Sequence, residues 1–372
     1  MKNNRIVIIG STVKSILNFR SSLITELKKR GFDVFVICNE ASENEIKDLD
    51  SLSIKYYFYN IVNNRISILS DLIAIFRISQ FIKIIKPNLV LAYYVKPMIY
   101  SGLITLIYKI KFIPLITGLT YVFYEGNFFR YIVRNILITF YKLFFNHAVA
   151  IIFQNKDDLK YFKNKKIAAR CEKIIIEGSG VNTHHFNYEP IMPLPVKFIL
   201  VARMLYEKGI IEYLESARLI KQEYPQAEFQ LVGGLDTSYD AIKYDVIKKY
   251  AKNDIVKYLG YQKNVKNLLK KSHIFVLPSY HEGMPRSVLE AMSIGRPIIT
   301  NDVPGCRETV INNKNGFLVE KKNIAKLTQK MKWFIVNHNK INEMGLESRK
   351  IVLERFDDKI INTKFIEVFM RV

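Results

Sequence analysis

The fold of this chain is decided by residues 274–290, which read Ile-Phe-Val-Leu-Pro-Ser-Tyr-His-Glu-Gly-Met-Pro-Arg-Ser-Val-Leu-Glu. The apolar run Ile274–Leu277 predicts a short buried strand that stops at Pro278. Pro285 suits the first turn of a helix, so a helix is predicted from Arg286 to Ser293. A strand that passes through a tight loop into a helix is typical of an α/β domain with a parallel sheet.

Two carboxylates flank that loop, Glu282 within it and Glu290 in the predicted helix. Free backbone N–H groups and the positive end of a helix meet in such a loop and favour an anion. A phosphate does not need two acids, whereas sugar hydroxyls can use them, and a nucleotide sugar carries both kinds of group. A strand–helix turn with two solvated glutamates remains the alternative for this stretch taken alone.

The two glutamates, with seven residues between them, resemble the E-x7-E motif of the retaining glycosyltransferases of family 4. The resemblance extends through residues 282–300, 305–308 and 315–319. It is strong over about residues 196–320 and weaker but continuous over the N-terminal half. The family implies the α/β fold called GT-B, in which two Rossmann-like, doubly wound domains face each other across a cleft.

The length of 372 residues suits two domains. A strand at residues 5–10, one helix that runs on to Gly31 and a strand at residues 34–37 predict a βαβ start. Prolines 190, 193 and 195 mark a linker. We therefore expect an acceptor-binding domain at residues 1–190, a nucleotide-sugar domain at 191–356, and a C-terminal helix at 357–372 that packs on the first domain.

The resemblance also implies the residues of the donor site. Arg203 and Lys208 would clamp the diphosphate and Glu282 would fix the donor sugar, so these three are the expected catalytic residues. Glu290 would hold the ribose hydroxyls. The other expected donor-binding residues are Gly234, Tyr261, Gly283, Met284, Ser287 and Val288. Ordinary surface charges remain the alternative for Arg203 and Lys208.

On the acceptor side, the resemblance points to the loops that follow two strands of the first domain. Many members of the family carry a histidine after the strand at residues 112–116, where this chain has Thr117-Gly118-Leu119-Thr120. In this loop the chain most resembles the bacterial subgroup that extends undecaprenyl-diphosphate-linked sugars. The expected acceptor-side residues are Gly10, Ser11, Arg20, Thr117 and Gly118.

The net charge of +22 is unevenly placed, because residues 51–150 hold eleven Lys and Arg against only Asp71 and Glu125, a local +9. Basic and apolar residues are interleaved there, which suits an anionic lipid surface. Nucleic acid is a competing interpretation, but no nucleic-acid motif accompanies the charge and we expect no nucleic-acid partner. The third interpretation is a Lys-rich composition that has no function. Within this region the stretch Asn127–Asn146 predicts either a membrane-facing helix or a buried helix with snorkelling cations.

The three cysteines stand far apart and show no metal-ligand spacing, so we expect no disulfide framework, no metal and no other cofactor. No run reaches the ~20 apolar residues of a membrane span, and the few residues before the first strand leave no room for a signal peptide. The expected location is the cytoplasm, peripheral on the inner face of the bacterial plasma membrane.

The function expected from these features is transfer of a sugar, such as GalNAc or another hexose or HexNAc, from a UDP-sugar to an undecaprenyl-diphosphate-linked saccharide. O-antigen, capsule or a related surface glycan would be the product. Two alternatives stay open, a GT-B nucleotide-sugar epimerase and a non-catalytic basic binding protein. An epimerase would need an acid/base pair for elimination, and a binding protein would not need the four charged residues of the donor site.

Overall fold

The computed structural model describes residues 4–59, 67–119, 121–123 and 128–372. Thr120, Glu125 and Asn127, which entered the sequence predictions, lie outside these ranges. The chain divides into two compact units. The first runs to Ser179 and also includes Asp358–Val372, and the second is Gly180–Asp357.

The described part of the first unit contains a seven-stranded sheet in which all neighbouring strands are parallel. The strand order is β3-β2-β1-β4-β5-β6-β7, so the chain reverses direction across the sheet after β3. The side chains of the central strands are buried on both faces, as the unbroken apolar runs predict. The strands are β1 (Arg5–Ile9), β2 (Asp33–Cys38), β3 (Lys55–Phe58), β4 (Leu89–Tyr93), β5 (Lys111–Ile116), β6 (Ala150–Phe153) and β7 (Glu172–Ile175).

The helices of this unit connect successive parallel strands, and therefore run antiparallel to them. Two separate clusters of buried apolar side chains form, one shared with α1–α3 and one with α4–α7. These helices are α1 (Val13–Phe19), α2 (Ser21–Lys29), α3 (Glu43–Asp50), α4 (Ile68–Ile85), α5 (Val95–Tyr108), α6 (Phe128–Phe145) and α7 (Lys156–Asn164).

One helix was predicted between β1 and Gly31, and that prediction is wrong because the backbone leaves helical geometry at Arg20 (φ −127°, ψ −11°). The Arg20 side chain is 1% exposed, and its guanidinium lies 4.9 Å from the ring centroid of Tyr93 and 5.6 Å from that of Phe365. The break accompanies the burial of this cation between two aromatic rings. A hydrophobic periodicity that continues smoothly from Ile16 to Leu27 carries no sign of it.

The second unit contains, in its described residues, a six-stranded parallel sheet in the order β10-β9-β8-β11-β12-β13. Its strands are β8 (Lys197–Val201), β9 (Glu228–Val232), β10 (Lys257–Tyr258), β11 (Ile274–Leu277), β12 (Ile298–Asn301) and β13 (Gly316–Val319). Its helices are α8 (Ile210–Glu223), α9 (Tyr244–Lys252), α10 (Lys266–Lys270), α11 (Arg286–Ile294), α12 (Ile324–Val336) and α13 (Ile341–Ile351).

The last helix, α14 (Asp358–Arg371), belongs to the first unit. Its buried side chains Phe365 and Phe369 join the apolar cluster of α1–α3. At its N-terminus, Asp358 accepts a hydrogen bond from Ser22 Oγ at 2.8 Å. Each unit is thus a doubly wound parallel sheet with helices, which is the predicted fold class.

Candidate active site

The donor-site residues expected from the sequence lie in the loops that follow β8, β9, β10 and β11, at the carboxyl edge of the second sheet, and in the first turns of α11. The Tyr280 N–H donates to the carbonyl of Glu207 at 2.7 Å, which joins the loop after β11 to the loop after β8. The Glu282 N–H donates to the carbonyl of Pro304 at 3.2 Å, which joins it to the loop after β12. Ligands bind at this edge in doubly wound sheets.

Two glycines make these close approaches possible. Gly209 (φ +69°) packs so tightly that a Cβ there would lie 2.0 Å from the carbonyl oxygen of Pro278. Gly305 (φ +75°) packs against the loop after β11, where a Cβ would lie 2.4 Å from the carbonyl oxygen of Glu282. Only glycine combines this backbone conformation with such contacts. The position of Glu282 therefore depends on backbone packing from a neighbouring loop.

The centre of the site is an ion pair between Lys208 and Glu282. Lys208 Nζ lies 2.7 Å from Glu282 Oε1 and 3.8 Å from Glu207 Oε1. The Lys208 and Glu282 side chains are only 14% and 17% exposed. Burial by itself lowers the pKa of Lys208, but the two carboxylates outweigh it and the pKa is raised. Lys208 is therefore an ammonium ion held in place at neutral pH.

Burial raises the pKa of Glu207, although Lys208 lowers it and Glu282 raises it further. Arg203 acts on the same cluster, since its charge is close enough to lower the pKa of Lys208. Its guanidinium is 65% exposed and donates to Asp236 Oδ2 at 3.0 Å. The structure therefore brings together two cations and three carboxylates, with Arg203 on the solvent side.

The second glutamate of the motif, Glu290, lies in α11 and accepts a hydrogen bond from Arg286 Nε at 3.0 Å. The Glu290 side chain is 13% exposed. Burial raises its pKa, and the Arg286 charge offsets part of that rise. Glu290 is thus a shielded acceptor whose charge is balanced by a neighbour one helical turn away.

The other expected donor-binding residues surround these charges. Gly234 lies beside Tyr261, since a Cβ at Gly234 would be 3.6 Å from Tyr261 Cβ, and the Tyr261 ring is exposed. Gly283 is buried and Met284 packs on the apolar cluster under α11. Ser287 is half-buried in the first turn of α11.

Val288 lies in the first turn of α11. Its N–H donates to the carbonyl of Pro285 at 3.1 Å and its side chain is fully buried. The structure therefore uses this N–H group within the helix.

The acceptor-side residues lie in the first unit. Gly10 follows β1, and Tyr59 donates its hydroxyl to the Gly10 carbonyl at 2.7 Å. A Cβ at Gly10 would lie 2.5 Å from the hydroxyl of Tyr93. Ser11 accepts the Asn39 N–H at 3.2 Å through its carbonyl. Arg20 is buried under the Tyr93 ring, so it supports this loop from beneath.

Thr117 and Gly118 (φ +119°) follow β5 at the same edge of the first sheet. Together with Tyr94, Met98 and Tyr141 they line a small pocket. Tyr94 follows β4, the strand between β1 and β5, and holds a positive φ of 68° that strains any residue other than glycine. The strain marks this turn as a place where the fold holds the backbone in one conformation.

A buried aspartate fixes the loop after β5. The Asp158 carboxylate accepts hydrogen bonds from the Leu119 N–H at 3.2 Å and from Asn155 Nδ2 at 2.9 Å. Burial raises the pKa of Asp158 to about 7. Asp158 was not predicted from the sequence as a buried residue, because a carboxylate in the first turn of a helix looks like an ordinary partner of the helix dipole.

Glu207, Asp236 and Arg286 were also missed. Arg286 could have been found from its spacing of four to Glu290 on a predicted helix. Asp236 pairs with Arg203 across 33 residues of sequence, which no local pattern reveals. Within the described residues there is no cluster of three or more His, Cys, Asp or Glu side chains that could hold a metal ion. Among the helices that the structure describes, none is long and apolar enough to cross a membrane.

Solved structures with the same architecture define the class. A glycosyltransferase from Rickettsia africae ESF-5 superposes with a TM-score of 0.81 at 19% identity, over 100% of this chain and 99% of that one. Anabaena HepE in complex with UDP superposes with a TM-score of 0.80 at 17% identity, over 99% and 100%. The fold is therefore GT-B.

Family models match both halves of the chain. Residues 188–351 match the glycosyl transferases group 1, and residues 9–155 match the glycosyl transferase 4-like family. The chain belongs to these glycosyltransferases, with a 4-like N-terminal half and a group 1 C-terminal half.

Two curated relatives are informative. The first is the Campylobacter jejuni N,N'-diacetylbacillosaminyl-diphospho-undecaprenol alpha-1,3-N-acetylgalactosaminyltransferase. The chain is 27% identical to it over an alignment of 390 positions, gaps included, which covers 99% of each protein. It is 34% identical over 125 residues to the Escherichia coli UDP-Gal:alpha-D-GlcNAc-diphosphoundecaprenol alpha-1,3-galactosyltransferase, which covers 33% of this chain and 32% of that protein.

Proposed function

We propose that this glycosyltransferase moves a sugar, with retention of anomeric configuration, from a UDP-sugar to a saccharide linked to undecaprenyl diphosphate. The sugar is GalNAc or another hexose or HexNAc, and the product enters an O-antigen, capsule or related surface glycan. The enzyme works at the inner face of the plasma membrane. The observation that carries the proposal is the pairing of Lys208 with Glu282, with Arg203 beside them, where β8 and β11 end.

Transfer requires a diphosphate leaving group whose negative charge grows as the glycosidic bond breaks. A preorganised cation stabilises such charge without reorganising at the moment of reaction. Lys208 meets this requirement, because two carboxylates keep it charged and in place. The incoming diphosphate would share the ammonium with Glu282, and Glu282 would then be directed at the hydroxyls of the donor sugar. Arg203, which is exposed, would close on the diphosphate from the solvent side.

The nucleoside half of the donor would occupy the neighbouring residues. Glu290 is a shielded carboxylate and would accept hydrogen bonds from the ribose hydroxyls in exchange for part of its contact with Arg286. The exposed ring of Tyr261 beside Gly234 offers a surface for the uracil. These residues together offer one candidate contact for each group of a UDP-sugar: the base, the ribose, the diphosphate and the sugar.

The acceptor class is supported by the two relatives described above, since both are named for undecaprenol diphosphate-linked acceptors. The first of them spans nearly the whole of both chains. In the first unit, the loops after β1 and β5 are fixed by buried side chains at the carboxyl edge of the sheet. We assign the acceptor sugar to these loops, at Gly10, Ser11, Thr117 and Gly118, with Arg20 as support.

The test is to incubate the purified protein with a panel of UDP-sugars and undecaprenyl-diphosphate-linked saccharides. Mass spectrometry should show an acceptor that is one sugar heavier. NMR of the new linkage should show the same anomeric configuration as the donor. Conversion of one UDP-sugar into another without any acceptor would indicate an epimerase. Binding without turnover across the whole panel would contradict the proposal.

A further inference from the structure

Two helices of the first unit carry large apolar side chains on their outer surface. On α4, Ile68 is 73% exposed, Leu69 is 72% and Phe76 is 63%. On α6, Phe128 is 77% exposed and Phe129 is 65%. Further exposed side chains on the same two helices are Leu72, Ile73, Tyr131, Ile132 and Ile136. A water-soluble surface rarely exposes so many large apolar groups together unless it contacts a partner or a membrane.

These side chains are concentrated in the N-terminal half of each helix. In α4 the first buried residue is Ala74, so the helix starts with six positions that are not buried. In α6 the first buried residue is Ile138, which leaves ten positions before it. The C-terminal halves pack into the apolar core through side chains such as Ile82 and Tyr141. Each helix therefore packs into the core mainly through its C-terminal half, while its N-terminal half is mostly exposed.

The topology places the exposed N-terminal halves of α4 and α6 at one edge of the sheet. α4 connects β3 to β4 and α6 connects β5 to β6, so each helix starts on the side of the sheet where the parallel strands end. The N-terminal halves thus stand at the carboxyl edge. Gly10, Ser11, Thr117 and Gly118 follow strands that end at the same edge. An apolar surface and the proposed acceptor loops share one side of the unit.

Charge identifies what covers this surface. The segment Phe128–Phe145 contains three cations, Arg130, Arg134 and Lys142, and no acidic residue. The one acidic residue of α4, Asp71, is paired with Lys96 at 2.9 Å. Cations among exposed Phe, Leu and Ile side chains match an anionic lipid surface, with the cations at the headgroups and the apolar groups at the acyl boundary. A protein partner with a neutral apolar face would not need these cations.

We propose that the N-terminal halves of α4 and α6, which flank α5 on either side, insert into the boundary between headgroups and acyl chains of an anionic bilayer. This inference rests on the proposed lipid-linked acceptor and names the surface that brings the enzyme to it. Insertion presents the carboxyl edge of the first sheet to the membrane, where the diphosphate of a lipid-linked saccharide lies. Because apolar contact contributes more to membrane binding than the cations do, binding persists in salt that screens the cations.

The test uses co-sedimentation of the full chain with vesicles of phosphatidylglycerol and phosphatidylcholine, at low salt and at about 0.5 M salt. One variant carries Leu69→Ser and Phe76→Ser, and a second carries Phe128→Ser and Phe129→Ser. Each should bind at least ten-fold more weakly than the wild type at both salt concentrations. Neutralising Arg130 and Arg134 to Gln, the two cations in the N-terminal half of α6, should weaken binding at low salt only.

The same helices supply matched controls. Ile84 is 66% exposed on α4 and Leu143 is 58% exposed on α6, both in the C-terminal halves. The change of either to Ser removes the same kind of exposed side chain, but should leave vesicle binding unchanged. Equal binding by the insertion variants and the wild type would overturn the inference. So would variants that only convert a dimer into a monomer by sedimentation analysis while they still bind vesicles.

Transfer to a short-chain acceptor that stays in solution separates this inference from the proposed function. The insertion variants should keep this activity and lose transfer to undecaprenyl acceptors in vesicles. If the wild type transfers sugar but the variants bind vesicles normally, the inference fails and the function stands. If the variants lose vesicle binding but the wild type transfers sugar to neither acceptor, the function fails instead.

Discussion

Glu290 is a carboxylate that the fold shields and balances with Arg286. We expect Glu290→Gln to weaken UDP binding by about 1.5–3 kcal/mol, since a charged acceptor for the ribose hydroxyls is lost. That is roughly a ten- to hundred-fold change in Kd by calorimetry. Glu343→Gln is the control, because Glu343 forms a similar ion pair with Lys340 on an exposed helix surface. Unchanged UDP affinity in the Glu290 variant would remove this residue from the site.

Gly305 tests whether backbone packing positions Glu282. In Gly305→Ala the new Cβ would meet the carbonyl oxygens of Glu282 and Gly283, and the loop must shift. A displacement of about 1 Å at a catalytic group can cost about a hundred-fold in rate, so turnover should fall by that order.

Gly31→Ala is the matched control for this change. Gly31 also has a positive φ (+82°), but a Cβ there meets nothing within 4 Å. It should cost about 1–2 kcal/mol of stability through backbone strain and leave turnover intact. Equal activity in the two variants would show that the Gly305 contact does not position Glu282.

At the scale of elements, the strands predicted at residues 5–10, 34–37, 112–116 and 274–277 and the helix predicted at 286–293 all form. Unbroken apolar runs and Pro and Gly punctuation are local signals that a sequence shows directly. The break between α1 and α2 was not predictable, since it follows from the burial of Arg20 against rings that are far away in sequence. For α6 the sequence left a membrane-facing helix and a buried helix open, and the structure buries side chains in the C-terminal half of α6 alone. Tyr141 and Phe145 are core residues, while Phe128 and Phe129 are exposed.

The candidate site likewise has features that the sequence could predict and features that it could not. The strand-end positions of Arg203, Lys208 and Glu282 could be expected from motif spacing, whereas their ion-pair partners could not, because pairs such as Arg203 with Asp236 form between separate loops. Asp158 was hidden for another reason. Its burial depends on the complete packing of α7 against the loop after β5, which a sequence pattern does not reveal.

The helix α7 carries a prediction about pH. The Asp158 carboxyl has its pKa raised from 3.8 to about 7 by burial, whereas in the unfolded chain it ionises near its ordinary value. A raised folded pKa means that stability is highest at low pH and falls as the pH rises from about 4 to about 7. The whole change is up to about 4 kcal/mol, because a tenfold difference in proton affinity between the folded and unfolded chain is worth about 1.4 kcal/mol.

Asp158→Asn keeps the shape and the acceptor oxygen for the Leu119 N–H but cannot ionise. Its stability relative to the wild type should therefore rise between pH 4 and pH 7, as denaturant melts at several pH values would show. The neighbouring Asp157 is half-buried and makes only the smallest contribution to the raised pKa of Asp158, so the control change Asp157→Asn should alter this pH profile little. A constant difference between Asp158→Asn and the wild type at every pH would contradict the assignment.

At the scale of the whole molecule, charge and apolar surface are divided between the two units. The first unit holds the basic, apolar surface of α4 and α6, and the second holds the ion-paired cluster of Lys208, Glu282 and Glu207. Sequence composition predicted the first as a regional excess of charge. It could not say which apolar residues are exposed, because that depends on how far each helix extends beyond the core.

The central claim is that Lys208 stabilises the leaving diphosphate during sugar transfer. It is tested by the kcat of Lys208→Ala with the best UDP-sugar and undecaprenyl-diphosphate acceptor, against Lys314→Ala, an ion-paired lysine elsewhere in the same unit. We predict a loss of about a hundred-fold or more for Lys208→Ala, with the fold intact by circular dichroism. The Lys314 variant should keep the wild-type rate. Turnover of Lys208→Ala close to that of the wild type would contradict the account.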